Sequence, residues 1–163
     1  MRIAVFSDTH GRTEALSCAE KELFCVEHLL HLGDGIMDAG DLSMKLKCGV
    51  FSVRGNCDAY SSVPLERVVE LEGIRILLLH GHTVSSKLSL YYRAKEQGCL
   101  IACFGHSHVP ALERMADVIL LNPGSLSRPR SSNGPTCGLI TVSNGHGSVC
   151  LLPSSLGMPI ETF

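Results

Sequence analysis

Asp8-x-His10, Gly33-Asp34, Gly55-Asn56, His80-Gly81 and Gly105-His106-x-His108 are five short phrases that each follow an apolar run, nearly all with a glycine beside the polar residue. Together they offer two carboxylates, four imidazoles and one amide. That is more than the three or four ligands of a single tetrahedral zinc site. The set suits two ions that share one bridging carboxylate, and ions about 3.5–4 Å apart clamp the attacking and leaving oxygens of an in-line displacement. The glycines let the backbone turn sharply and come close to a bound ion or anion.

For these phrases to converge they have to lie beyond the carboxyl ends of strands, where open α/β sheets place their sites. The chain reads that way. Arg2–Phe6 is a short apolar run that predicts a buried strand, and the spacing of Ala15, Leu16, Ala19, Leu23 and Phe24 predicts an amphipathic helix over Thr13–Phe24. His28–Leu32 reads as a strand broken by Gly33-Asp34-Gly35, Asp38–Lys47 as a helix, and Val50–Val53 as a strand ending at Gly55-Asn56-Cys57-Asp58. In the second half, Leu65–Leu71 and Ile74–Leu79 form a hairpin across Glu72-Gly73. Lys87–Gln97 is a helix stopped by Gly98, and Leu100–Phe104 a strand stopped by Gly105. Ala111–Met115, Val118–Leu121, Leu139–Val142 and Ser148–Leu152 follow as strands, with a turn at Asn144–Gly147, and an irregular, solvent-facing tail is expected from Pro153. The alternation of β and α elements, then the run of strands, predicts an α/β fold of two packed mixed sheets flanked by helices, in one domain over residues 1–163.

Composition narrows the function. The 163 residues are 45% apolar and carry 14 Lys+Arg against 16 Asp+Glu, a net charge of −2. A disordered chain needs fewer apolar residues and more net charge, and a dedicated nucleic-acid binder shows a basic excess, so neither is expected. The apolar stretch at the N-terminus ends too early for a signal peptide, and the run Ile76–Leu79 is far shorter than the ~18–20 residues of a membrane span. The expected location is therefore the cytoplasm. None of the eight cysteines forms a C-x-x-C pair, and most read as small buried hydrophobes. A mean hydropathy of +0.21 with 18% charged residues hints that a second copy covers some apolar surface, as a homo-oligomer would.

The phrases D-x-H, G-D, G-N, H-G and G-H-x-H, in this order from Asp8 to His108, resemble the calcineurin-like metallophosphoesterases, and Asn122-Pro123-Gly124-Ser125 extends the likeness to the small single-domain prokaryotic phosphodiesterases of that family. The resemblance implies a four-layer α/β/β/α sandwich. It implies that Asp8, His10 and His108 hold one ion, that Asn56, His80 and His106 hold the other, and that Asp34 bridges both. A bridging water would lose its proton, since metal binding lowers a water pKa to about 7, and the hydroxide would attack the phosphorus of a small phosphoester. Manganese is the ion the family suggests, while imidazole and carboxylate ligands also suit nickel, cobalt, iron or zinc.

Many relatives carry a histidine after G-N that protonates the leaving oxygen; Cys57-Asp58 stands there instead. A thiol near pKa 8.5 is a poorer acid at neutral pH than an imidazolium, so good leaving groups are expected, with His82 as a second candidate donor. Asp34, Asn56, Cys57 and His82 are thus the candidate catalytic residues. Arg128 and Arg130 read equally well as contacts to a substrate phosphate or as a solvated basic loop, and Ser127–Pro135 reads as a flexible loop near the site. Asn122 and Ser125 read as turn residues, His28 and His31 as packing, and His146 as part of a turn. Two rival readings are a protein-interaction scaffold of the same fold, as in the retromer subunit with altered ligands, and a mononuclear zinc hydrolase acting on amides or esters.

Overall fold

Alternate side chains of Arg2–Phe6 (β1) enter two different cores, which is why the run is apolar throughout: Ile3 and Val5 lie between two sheets, Ala4 and Phe6 on the outer face. The computed structural model describes every residue except Tyr60, Met158 and Pro159, and the side chains of all of these but Ala15 and Cys18.

Among the described residues the chain forms two mixed sheets. In the first, β1, His28–His31 (β2) and Gly49–Ser52 (β3) are parallel; Cys137–Ser143 (β9), His146–Leu152 (β10) and Ile160–Thr162 (β11) continue it antiparallel, in the order β11-β10-β9-β1-β2-β3. The second sheet has the order β4-β5-β6-β8-β7, built from Glu66–Leu71 (β4), Ile74–Leu79 (β5), Ile101–Cys103 (β6), Ala111–Met115 (β7) and Val118–Asn122 (β8). Its central strands β5, β6 and β8 are parallel, and β4 and β7 flank them antiparallel. Ile3, Val5, Leu30, Ile76, Leu78, Ile101, Ile119 and Ile140 fill the space between the sheets. The helix Ile36–Leu46 (α1) covers the outer face of the first sheet through Leu42, and Lys87–Glu96 (α2) covers the second through Leu90 and Ala94. This is the four-layer α/β/β/α arrangement.

Two expectations are corrected. The segment Thr13–Phe24 is a short 3-10 helix, Glu14–Cys18, followed by turns. Thr13 offers no side-chain cap, and successive three-residue bonds, Leu16 N–H to Thr13 O, Ala19 N–H to Leu16 O and Glu22 N–H to Ala19 O, replace a helical ladder. They still bury Leu16, Ala19 and Leu23 on one face while Phe24 turns outward. The second correction concerns the tail, which returns as β11 and pairs with Ser148–Cys150 of β10. Glu161 forms an ion pair with Arg114 at 3.0 Å, and Phe163 packs against the central core. Among the described residues no helix is long and apolar enough to cross a membrane. No disulfide links the described cysteines, and Cys99, Cys103 and Cys137 are buried.

Candidate metal centre

The parallel strands β1, β2, β3, β5 and β6 all point the same way out of their sheets, so the loops after them meet at one edge. Asp8, His10, Asp34, His106 and His108 all take positive φ there, between 46° and 68°. Asp and His are among the few types other than glycine that populate this region readily, so the residues that supply donor atoms also make the turns. Strained backbone of this kind persists only where the surroundings fix it.

The fixing bonds are specific. Asp8 N–H donates to Gly33 O at 3.0 Å and His10 N–H to Asp34 O at 2.9 Å, joining the first two loops. Ser125 Oγ donates to Asp8 O at 2.7 Å, as does Ser127 Oγ at 3.1 Å, and Asn122 Nδ2 donates to Gly105 O at 2.9 Å. Asp58 pins the Asp34 turn and the start of α1, accepting from the backbone N–H groups of Asp34, Gly35, Ile36 and Gly55 at 2.7–3.2 Å. Burial works against the Asp58 carboxylate, but these four bonds outweigh it and hold its pKa below the ordinary value. Nothing in a single sequence assigns these duties to Asp58, Ser125 and Ser127; Asn122 ends β8 rather than sitting in a turn, Ser125 lies in the loop after it, and both anchor the site.

His31, read as packing, is buried and stitches Thr9 to Gly33: its Nδ1 accepts from Gly33 N–H at 3.3 Å, so Nε2 carries the proton and donates to Thr9 Oγ1 at 3.1 Å. Burial brings its pKa from 6.5 down to about 4, with the Asp38 and Asp58 charges opposing. Between those values the unfolded chain binds a proton that the folded one refuses, so stability is complete above pH 6.5 and falls as pH drops toward 4. The loss amounts to about 3 kcal/mol at 1.36 kcal/mol per pKa unit. His31→Gln should flatten the melting-temperature profile of the chelator-treated protein between pH 6.5 and 4.5; an unchanged slope would show that His31 does not drive it.

Five of the seven candidate ligands gather into tight groups. One ligand atom each from Asp8, His10 and His108 lie within 4.8 Å of one another, as do those of Asp8, Asp34 and His80, and of His10, Asp34 and Cys57. The two buried carboxylates are thus common to neighbouring groups. His108 Nε2 is 3.3 Å from Asp8 Oδ1, His80 Nε2 is 3.4 Å from Asp34 Oδ2, and His10 Nε2 is 3.4 Å from His108 Nε2. His106 belongs to none of these tight groups: its backbone N–H donates to Asp8 Oδ2 at 3.0 Å, while its exposed ring stands 5.3 Å from the His80 ring centroid. Asn56, the seventh, is exposed beside Cys57, and its Nδ2 donates to Cys57 Sγ at 3.5 Å.

The polarity of these contacts fits cations. His80 Nδ1 donates to Leu32 O and His108 Nδ1 to Arg128 O, both at 2.8 Å, because a carbonyl can only accept. In the neutral imidazole each Nε2 then presents a lone pair, and those lone pairs face carboxylate oxygens. His80 Nε2 and Asp8 Oδ1 are buried and without a hydrogen-bond partner. A positive ion between them resolves that opposition, and the outward hydrogen bonds orient the rings as in well-built metal sites.

Two further groups flank the donors. The Cys57 thiol is pushed up to about 11, first by its hydrogen bond with Asp34 and then by burial and nearby carboxylates. His82, half-buried at 5.4 Å from the His80 ring, has its pKa lowered by burial and by His80 and His106. A cleft of about 460 Å³ opens beside Asp34 and Cys57, and Arg128, Pro129 and Arg130 form its far wall. The loop after β8 therefore does border the site.

The sequence pattern of the calcineurin-like phosphoesterase superfamily domain matches residues 1–145. The chain is 31% identical over 153 residues to the probable metallophosphoesterase YsnB of Bacillus subtilis (strain 168), covering 91% of this chain and 89% of that protein. The crystal structure of a predicted phosphoesterase from Streptococcus pneumoniae TIGR4 superposes with a TM-score of 0.78 at 28% identity, over 99% of this chain and 96% of the other. A single mutant of Vps29 from Entamoeba histolytica superposes with a TM-score of 0.80 over 100% of this chain and 98% of its own, at 21% identity, a likeness of fold alone. With a matching domain pattern over most of its length and a relative aligned almost end to end, the chain belongs to the calcineurin-like phosphoesterase superfamily.

Proposed function

We propose that the chain is a dinuclear metal-dependent phosphoesterase, acting chiefly on phosphodiesters. The observation that carries this reading is the pair of buried, unpartnered atoms, His80 Nε2 and Asp8 Oδ1, turned toward each other at 3.8 Å. In this reading Asp8, His10 and His108 hold one divalent ion, Asn56, His80 and His106 hold the second, and Asp34 bridges them, with manganese as the expected metal. When bound, the ions supply Lewis acidity at phosphorus and a deprotonated water at neutral pH.

The chain's own groups do the rest. Asp34 Oδ1 accepts from the Cys57 backbone N–H at 2.8 Å, which fixes the carboxylate and leaves Oδ2 facing His80. The Cys57 thiol keeps its proton at neutral pH and gives it up reluctantly, and His82, with its lowered pKa, is mostly uncharged. Neither is a strong acid for an alkoxide leaving group, so aryl esters should be favoured. The scaffold reading has the Vps29 fold in its favour, but the curated relatives of this chain carry the description of probable metallophosphoesterases, which supports the catalytic reading.

The test is hydrolysis of a chromogenic aryl phosphodiester by chelator-treated protein given back manganese, nickel, cobalt, iron or zinc in turn. Activity should depend on the added ion, and Cys57→His should raise the alkyl-to-aryl ratio of kcat/KM by about a hundredfold, the low end of what a positioned acid supplies. No hydrolysis with any ion would favour the scaffold. An unchanged ratio in Cys57→His would remove Cys57 from the account of the leaving group.

A further inference from the structure

The far wall of the cleft has chemistry that the ion ligands do not need. At a water's share of liquid volume, ~30 Å³, a cleft of about 460 Å³ holds many waters, and one phosphoryl group leaves most of it empty. Arg128 and Arg130 face this space from a main chain fastened on both sides of His108. The Arg128 N–H donates to Ser125 Oγ at 2.9 Å, its carbonyl accepts from His108 Nδ1 at 2.8 Å, and the Arg130 N–H donates to His108 O at 3.0 Å. Pro129 fixes its own φ and steers Arg128 toward extended backbone. The two side chains therefore start from set positions.

Their guanidinium groups are uncommitted. Arg75, Arg93 and Arg114 pair with Glu70, Glu66 and Glu161 at 3.0–3.4 Å. Among the described residues neither Arg128 nor Arg130 has such a partner, in a chain whose net charge is −2. Two guanidinium forks separated by one residue match a tetrahedral dianion, which accepts several charge-assisted hydrogen bonds at once.

We propose that Arg128 and Arg130 form a subsite for a second anionic group, so that the substrate is a phosphoester carrying a further phosphate on the substituent that is not released. This rests on the phosphoesterase reading for the position of the scissile bond, while the subsite is a property of the wall itself. A terminal phosphate is preferred to a carboxylate because it offers three oxygens to the two forks.

Three p-nitrophenyl phosphodiesters test it, their second substituent an alkyl chain ending in methyl, carboxylate or phosphate. With manganese, kcat/KM should rise in that order, and the phosphate-ended ester should exceed the methyl-ended one by at least about tenfold, mainly through KM where the contact is made equally in ground and transition states. In Arg128→Ala/Arg130→Ala that ratio should fall toward one, and Arg128→Lys/Arg130→Lys should keep part of it. Calorimetric Kd values for the matching non-hydrolysable phosphonates should show the same order. Hydrolysis without preference, or a preference that survives in the alanine pair, overturns the proposal. If no ester is cleaved but the Kd order holds and is lost in the alanine pair, the subsite stands and the phosphoesterase reading fails; if the Kd order is absent too, both fail.

Discussion

Asp8→Asn should abolish metal-dependent hydrolysis and, in the same protein, raise the melting temperature of the chelator-treated form. Asp8 is fully buried, and its carboxylate lies within 4.8 Å of ligand atoms of Asp34 and His80. Without cations, two carboxylates and two imidazole lone pairs oppose one another in a low-dielectric pocket, a costly arrangement. Asparagine removes one charge. Its oxygen can still accept from the His106 N–H in place of Asp8 Oδ2, and its amide can donate toward the His80 or His108 Nε2. A gain of about 2 kcal/mol raises the melting temperature by about 4–8 °C in a chain of this length. Activity moves the other way: losing about 4 kcal/mol of transition-state stabilisation lowers kcat/KM about a thousandfold. Thermal melts with and without manganese check both halves. Manganese should stabilise the unsubstituted protein clearly more than Asp8→Asn, which keeps the ligands of the second ion. A variant that is less stable than the parent without metal would mean that Asp8 is a structural residue whose charge is satisfied by the chain.

Gly55→Ala should be strongly damaging for so small a change near the site. A Cβ at Gly55 would lie 2.1 Å from Asp34 Oδ1 and 2.7 Å from Asp34 N, and the second of these is backbone that cannot swing away. The Asp34 turn is already held by Asp58 and carries a positive φ of 54°, so the strain falls on the Asp34 carboxylate. Overpacking of this kind costs about 1–3 kcal/mol, or about 2–12 °C at 2–4 °C per kcal/mol. Displacing a positioned group by an ångström costs about a hundredfold in rate. Gly40→Ala is the contrast: Gly40 lies within α1 with nothing near its virtual Cβ, and alanine there should stabilise by about 0.5–1 kcal/mol. Melting curves and manganese-dependent rates for the two variants, side by side, separate a tight approach to Asp34 from a general intolerance of side chains.

The contrast between these two glycines bears on what the sequence could reveal. The phrases around Asp8, Asp34, Asn56, His80 and His106 were legible because each interrupts an apolar strand, and strand ends in parallel sheets share one edge. What a single sequence does not show is the second set of bonds that makes the edge a cradle. Asp58 is an ordinary acidic residue until its oxygens are found on four backbone N–H groups, and Ser125 lies 117 residues from the Asp8 carbonyl it holds. The helix predicted over Thr13–Phe24 failed because helical and three-residue spacing both bring Leu16, Ala19 and Leu23 to one face, and only the missing cap at Thr13 distinguishes them. β11 escaped notice because its three residues have no apolar pattern; pairing with β10 and the Glu161–Arg114 bridge create it at long range. Glycines beside donors do turn the chain at Gly33, Gly35 and Gly81, all at positive φ, while Asp8, His10 and Asp34 make turns of their own and Gly55 is needed for its missing side chain.

The most direct test of the metal centre is the number of manganese ions bound per chain, measured by calorimetric titration of chelator-treated protein alongside Asp34→Asn. Two tight sites per chain are expected, with at least one lost when the Asp34 carboxylate becomes an amide. Equal uptake by the two proteins, or no tight uptake by either, would contradict the assignment.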